Sequence, residues 1–285
     1  MATIKFWGGL GDEIAITGLV RELVLRAPDE TVRVEGVRYP EVFKYNPRIG
    51  HGTQDSGRVI ALSPAPHDFI GNLVHAYCHF AGLQTAASGE SEIYFTVAEL
   101  DAARALLDAD ERPIAAIDTW AFWPSKRWAF SRFAALTTAL QERGYRVIEL
   151  GATYPDVTRA KRTDRLPIDG KDCLLDLLTV RETAAVLAQC ALFVGNNSGL
   201  AHLAAAVFVP TVLLNARAPW YARASRWTFP AFTLQTSCDA CDKVCTIAPT
   251  ESCLGALTVL DVLRVIEQIP PLFLHGQPQR MAIAS

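Results

Sequence analysis

Residues 3–37 read TIKFWGGLGDEIAITGLVRELVLRAPDETVRVEGV. Thr3 to Trp7 has β character through Ile4 and Phe6 and runs into Gly8-Gly9-Leu10-Gly11. Ile14, Leu19, Leu23 and Leu25 then mark the apolar side of a helix. Ala27-Pro28-Asp29 ends it, since proline cannot continue a helix. Thr31 to Val37 alternates as a second strand. A strand, a glycine-rich turn, a helix and another strand, in that order, open a parallel α/β sheet.

The same rhythm can be followed along the chain. Val59 to Leu62 and Ile93 to Phe95 read as strands, Asn72 to Ala81 and Val97 to Leu107 as helices. The polar stretch Leu107 to Pro113 reads as a linker, after which strand and helix alternate again. Strands are predicted at Ile114–Ile117, Val147–Leu150, Ala191–Val194 and Thr211–Leu214. Helices are predicted at Phe130–Arg143, Arg181–Gln189, Leu200–Val207 and Val259–Ile269. With 285 residues and about 150 per domain, two α/β domains in tandem are expected. Their division is 1–107, 108–257, and a C-terminal helix and tail, 258–285, returning to the first domain.

Composition narrows the function classes. Half the residues are hydrophobic and the formal charge is only −3, unlike a disordered chain or a basic nucleic-acid binder. The longest nearly apolar run, Leu203 to Leu214, is broken by Pro210 and falls short of the roughly 20 residues that cross a bilayer. No secretory signal is visible, so a soluble cytoplasmic protein is expected, with no transmembrane segment and no nucleic-acid partner. Of seven cysteines, Cys238, Cys241, Cys245 and Cys253 cluster. In a reducing compartment they read as a structural Zn or Fe site or as free thiols. Four such ligands leave a tetrahedral ion no open position for catalysis.

Ligands of open parallel sheets bind beyond the carboxyl ends of the strands, and three loops there carry chemistry. The first, Gly8-Gly9-Leu10-Gly11-Asp12-Glu13, opens a helix. Asp12 suits either helix capping or a catalytic carboxylate. The third glycine of a dinucleotide fingerprint is replaced by Ile14. In the second loop, Gly195-Asn196-Asn197-Ser198-Gly199, Ser198 suits capping and the helix N-terminus suits phosphate. His202, one turn in, reads as a packed histidine or a ligand contact. The third, Trp123-Pro124-Ser125-Lys126-Arg127-Trp128, sets two adjacent cations where a diphosphate could be neutralised, or forms a solvated loop. Asp108-Ala109-Asp110 resembles a metal-binding Asp-x-Asp but lies in the linker.

Together and in this order, these loops resemble the glycosyltransferase family of the lipopolysaccharide heptosyltransferases. The Gly-Asp pair opening the first helix is Gly11-Asp12, and the Lys-x-Trp segment is Lys126-Arg127-Trp128. The Asp-Ser/Thr-Gly-x-x-His motif reads Asn197-Ser198-Gly199-Leu200-Ala201-His202, before an alanine-rich helix. The cysteine spacing also looks like a tail seen in some members.

The resemblance implies a GT-B architecture, two Rossmann-like domains facing a cleft, and inverting transfer from a nucleotide-diphosphate sugar such as ADP-heptose. The acceptor would be a glycan, lipid-linked or protein hydroxyl. Asp12 becomes the general base and Lys126 the cation on the leaving diphosphate. Gly9, Gly11, Thr119, Ser125, Gly151, Asn197, Ser198, Gly199 and His202 join Lys126 on the donor side. No cofactor is implied for catalysis. The family's aspartate is Asn197 here, which keeps hydrogen bonding but loses charge beside the donor sugar. Two alternatives stand beside this reading. One is an NAD(P)-dependent oxidoreductase using Gly9-Leu10-Gly11 and Glu35. The other is a nucleotide-sugar-binding protein without turnover.

Overall fold

The computed structural model describes residues 2–50, 57–63, 72–83, 88–108, 110–121, 126–152, 164–215, 231–235, 253–270 and 282–283. In the first half, β1 (Ala2–Phe6), α1 (Leu10–Arg26), β2 (Val32–Glu35), β3 (Arg58–Leu62), α2 (Leu73–Phe80), β4 (Tyr94–Phe95) and α3 (Val97–Leu107) follow in order. β1 is flanked by β2 and β3, both parallel to it, with Ile4 opposite Val34 and Ile60.

The second half contains β5 (Ile114–Asp118), α4 (Phe130–Glu142), β6 (Arg146–Glu149), α5 (Val180–Leu187), β7 (Leu192–Asn196), α6 (Gly199–Ala206), β8 (Thr211–Asn215), β9 (Ala231–Gln235) and α7 (Val259–Glu267). Its strands form one parallel sheet in the order β6-β5-β7-β8-β9. β9 is a strand that the sequence reading did not predict. β5 to β8 are buried along their whole length, as expected of parallel strands covered on both faces.

Two apolar cores hold the molecule. One lies on the α4 and α7 face of the second sheet and centres on Trp128, Phe133, Leu136 and Val262. The other is continuous between the halves, running from Ile4 and Leu19 through Leu203 to Phe193. Helix α1 is buried nearly all round, Glu13 to Val20, because it packs against α2 as well as α6. Each fully buried aliphatic side chain there contributes about 1.5–3 kcal/mol. Leu25, by contrast, faces solvent at 59% exposure, so it does not belong to the helix's buried side. Helix α7 packs on α4 and β8. The part of the C-terminus that reaches the first half is β10 (Ala282–Ile283), which pairs with β4.

Arg181 is a clasp between the halves. From the first turn of α5, its guanidinium donates to both Glu99 carboxylate oxygens, at 2.6 and 2.8 Å, and to the carbonyls of Glu41 and Tyr94. It also lies over the ring of Tyr45. The Arg181 bonds hold the Glu99 carboxyl down to about 2. The Asp-x-Asp pair is likewise structural. Asp108 meets the buried Arg146 at 2.8 Å and Lys171 at 3.1 Å, while Asp110 pairs with Arg112. No helix among the described residues is long and apolar enough to cross a membrane.

Candidate active site

The first loop is built by close approach. A Cβ on Gly8 would sit 2.6 Å from the Phe6 ring, so only glycine passes there. Asp12 then faces back over the turn. Its Oδ2 accepts from Gly9 N–H at 3.2 Å and its Oδ1 accepts from Tyr77 Oη–H at 2.8 Å. Tyr77, fully buried on α2, is fixed edge-on against Phe6. The half-buried Asp12 carboxylate is therefore oriented by two donors and remains partly accessible. The adjacent Glu13 does a different job. It is buried, and its two oxygens accept from Arg38 and Tyr39 N–H, tying the segment after β2 to α1. Burial pushes its carboxyl above the usual range.

In the second half, β6, β5, β7 and β8 each end on a polar residue. In sheet order these are Glu149, Asp118, Asn196 and Asn215, all buried. Thr119 Oγ1 donates to Glu149 at 3.4 Å. Asn196 Oδ1 accepts from Trp128 N–H, and Asn197 Nδ2 donates to Asn215 Oδ1 at 3.0 Å. Position 197 thus joins the ends of β7 and β8, a task an amide performs with a donor that a carboxylate lacks. Ser198 occupies the N-cap position of α6, but its hydroxyl does not cap the helix, contrary to expectation. It donates to Asp118 Oδ2 at 2.7 Å.

The two adjacent cations also separate. Arg127 donates to the Ala121 carbonyl and stacks 3.5 Å from the centre of the Trp120 ring, which makes it a structural residue rather than a diphosphate ligand. Trp128 plugs the core and donates to the Leu257 carbonyl. Lys126, next to this anchor, is partly buried. Burial lowers its ammonium to about 8, against a smaller upward pull from Asp12.

Packing of α1 on α6 brings the loops together. A Cβ on Gly11 would lie 2.5 Å from the His202 ring, and one on Gly199 would lie 3.1 Å from Leu10. His202 is buried, and burial, with Lys126 nearby, lowers it to about 3. With its proton affinity so lowered the ring is neutral at physiological pH, and it packs against the backbone of Gly11. Gly11→Ala is expected to cost about 1–3 kcal/mol through overpacking. Thermal unfolding checks this, and His202→Ala should recover part of the loss.

Asp12, Lys126 and His202 therefore converge, with Gly9, Gly11, Ser198 and Gly199 around them. Thr119 turns toward Glu149. Gly151 makes the turn after β6, at φ 127°, where its carbonyl accepts from Asp176. Ser125, Cys238, Cys241 and Cys245 lie outside the described residues, as does the side chain of Cys253. Among the described residues no group of three or more His, Cys, Asp or Glu could hold a metal ion. Sequence reasoning missed Tyr77, the anchoring role of Glu13, and Asp118. The signal for Asp118 was a single acid directly after the apolar run Ile114–Ile117.

Comparison with known proteins places the chain. The profile of glycosyltransferase family 9 (heptosyltransferase) matches residues 48–224, more than half of the chain. Lipooligosaccharide heptosyltransferase 2 of Haemophilus influenzae is 32% identical over 108 residues, covering 36% of this chain and 31% of that protein. The match thus spans about a third of that curated relative.

The glycosyl transferase family 9 structure from Veillonella parvula superposes with a TM-score of 0.73 at 16% identity, covering 96% of each chain. The iron-containing dodecameric heptosyltransferase TibC of enterotoxigenic E. coli, solved with ADP-D-beta-D-heptose, gives 0.65 at 16%, covering 95% of this chain and 77% of that one. These likenesses carry the GT-B fold. The family match overturns the oxidoreductase alternative, and Glu35, its ribose candidate, pairs with Arg33 at 3.1 Å. The chain belongs to glycosyltransferase family 9, the heptosyltransferase family.

Proposed function

We propose that this protein is an inverting glycosyltransferase that moves heptose, or a related sugar, from ADP-heptose to a hydroxyl acceptor in lipopolysaccharide-type biosynthesis. The observation that carries the reading is the juxtaposition of two groups. An oriented, half-buried carboxylate, Asp12, lies close enough to the cation Lys126 to raise its proton affinity, beside the α1–α6 contact. Glycosyl transfer needs such a pair, a base on the acceptor and charge stabilisation on the leaving group.

In a single displacement the acceptor oxygen gives its proton to Asp12 and bonds to the anomeric carbon. The bond from that carbon to the diphosphate breaks on the opposite face, so the configuration inverts. Lys126 and the first turn of α6 receive the charge on the departing ADP. Asp12 itself lies before the matched residues 48–224, so its role rests on Gly11-Asp12 and on this geometry. The acceptor is a glycan, lipid-linked or protein hydroxyl. A division at 107/108 is supported by the separate sheets β1–β3 and β5–β9, and the return of the C-terminus to the first half by the β10–β4 pairing, while α7 stays on α4 and β8.

Two further assignments belong to this reading. The free thiols Cys78, Cys173 and Cys190 suit the reducing cytoplasm. The sequence cluster Cys238, Cys241, Cys245 and Cys253 supplies the thiols that a tetrahedral iron or zinc ion would take, and TibC is iron-containing. Metal analysis of the purified protein decides between an ion and free thiols.

The function is tested by calorimetry and turnover together. ADP is expected to bind and NAD not to bind, and ADP-heptose with an acceptor glycan is expected to release ADP. Binding of ADP without turnover across a panel of glycan, lipid-linked and peptide acceptors would favour a binding protein. Binding of NAD alone would remove the transferase reading.

A further inference from the structure

Most helices in this fold close their own N-termini. Thr96, Thr179 and Thr258 cap α3, α5 and α7 in reciprocal boxes with Glu99, Glu182 and Asp261, and Asn72 caps α2. Ser198 is chemically as good a cap as those threonines, and its backbone, φ −136° and ψ 173°, is already extended as an N-cap requires. Its hydroxyl nevertheless makes no capping bond. It reaches instead to Asp118 Oδ2 at 2.7 Å, a residue eighty positions away.

Asp118 is placed for this. It is the last residue of β5, buried, and in register with Gly195 of β7, three residues before Ser198. Its Oδ1 accepts from Trp120 N–H at 3.0 Å, so the carboxylate is oriented before it meets the serine. A hydroxyl donating to a carboxylate makes a charge-assisted bond, stronger than a neutral contact with a backbone N–H. The single hydroxyl oxygen sits where the Asp118 bond holds it, and from that position it accepts no N–H of α6.

We propose that Asp118 is a positioning residue for the donor: by drawing the Ser198 hydroxyl off α6, it leaves the N–H groups of that helix's first turn open to the diphosphate. This rests on the reading that α6 and Lys126 receive the leaving group. It adds that the site is kept open by a carboxylate on the neighbouring strand, acting through Ser198. Without that carboxylate the serine caps the helix and competes with the ligand for the same donors.

A double-mutant cycle read by calorimetry with ADP at pH 7 tests it. Asp118→Ala in the parent is expected to weaken ADP about fivefold, the equivalent of a typical cap. In a Ser198→Ala background the same substitution should change affinity by less than about twofold, because no hydroxyl remains to compete. Equal losses in both backgrounds, or no loss in either, overturn the proposal. A parent that binds no ADP overturns the donor reading itself, and the proposal with it.

Should Asp118→Ala fail to fold, amide exchange on the folded parent and on Ser198→Ala keeps the question open to refutation. The Leu200 and Ala201 amides are expected to exchange at the same rate in both. Faster exchange in Ser198→Ala would mean that the hydroxyl already caps the helix, which overturns the proposal.

Discussion

Asp12→Ala is expected to lower the transfer rate by about 10²–10⁴, the usual contribution of a positioned general base, while ADP still binds. Physically, the variant removes the proton acceptor and leaves the Lys126 and α6 side in place. The exposed Gly9 N–H can turn to water, whereas the buried Tyr77 Oη–H loses its acceptor, so the variant should also lose some stability. Single-turnover transfer and ADP calorimetry separate the two effects. Near-parental transfer in the variant would take the base role from Asp12. Loss of ADP binding together with transfer would make it a structural residue.

Lys126→Met is expected to cost about 10²–10³ in transfer rate, as removal of a preorganised charge-stabilising donor does. The pH dependence of the parent should identify the group. Burial lowers the Lys126 ammonium from 10.5 to about 8, so in the free protein the cation is present below about pH 8 and lost above it. ADP affinity should then fall as pH rises past 8, by up to about tenfold per unit for one linked proton. In the Met variant it should be flat. Stability carries the opposite sign. The unfolded chain holds its proton more tightly than the folded one, so folding should become more favourable between about pH 8 and 10.5. At pH 7 the Met variant, free of the buried charge, should melt above the parent. That gap should narrow toward pH 10. A flat ADP profile in the parent would show that Lys126 does not titrate there.

These experiments bear on residues of unequal legibility. The strand–turn–helix order from Ala2 to Leu107 could be read because its causes are local: apolar spacing, glycine runs, a proline stop and a threonine-glutamate box at Thr96. The same holds for Ile114–Asp118 through Thr211–Asn215. β9 could not be read in this way. Ala231–Gln235 is placed as a strand by pairing with β8, and its own short run carries no such punctuation. Two side-chain readings also needed the fold for correction. Ser198 has a capping residue's chemistry and Arg127 a phosphate ligand's, yet the first is held by a partner remote in sequence and the second by a local stack.

For this protein, then, the chain alone determined the α/β alternation and the Gly-Asp, Lys-x-Trp and Asn-Ser-Gly loops at strand ends. Those depend on interactions within a few residues. Only the tertiary structure decided that Asp12 is oriented by Tyr77, that Lys126 is a half-buried cation under the influence of Asp12, and that Asp118 holds Ser198. Those pairings depend on α1 packing against α2, on β5 lying beside β7 and, for Lys126, on α1 packing against α6, a contact close enough to form because Gly11 leaves room for the His202 ring.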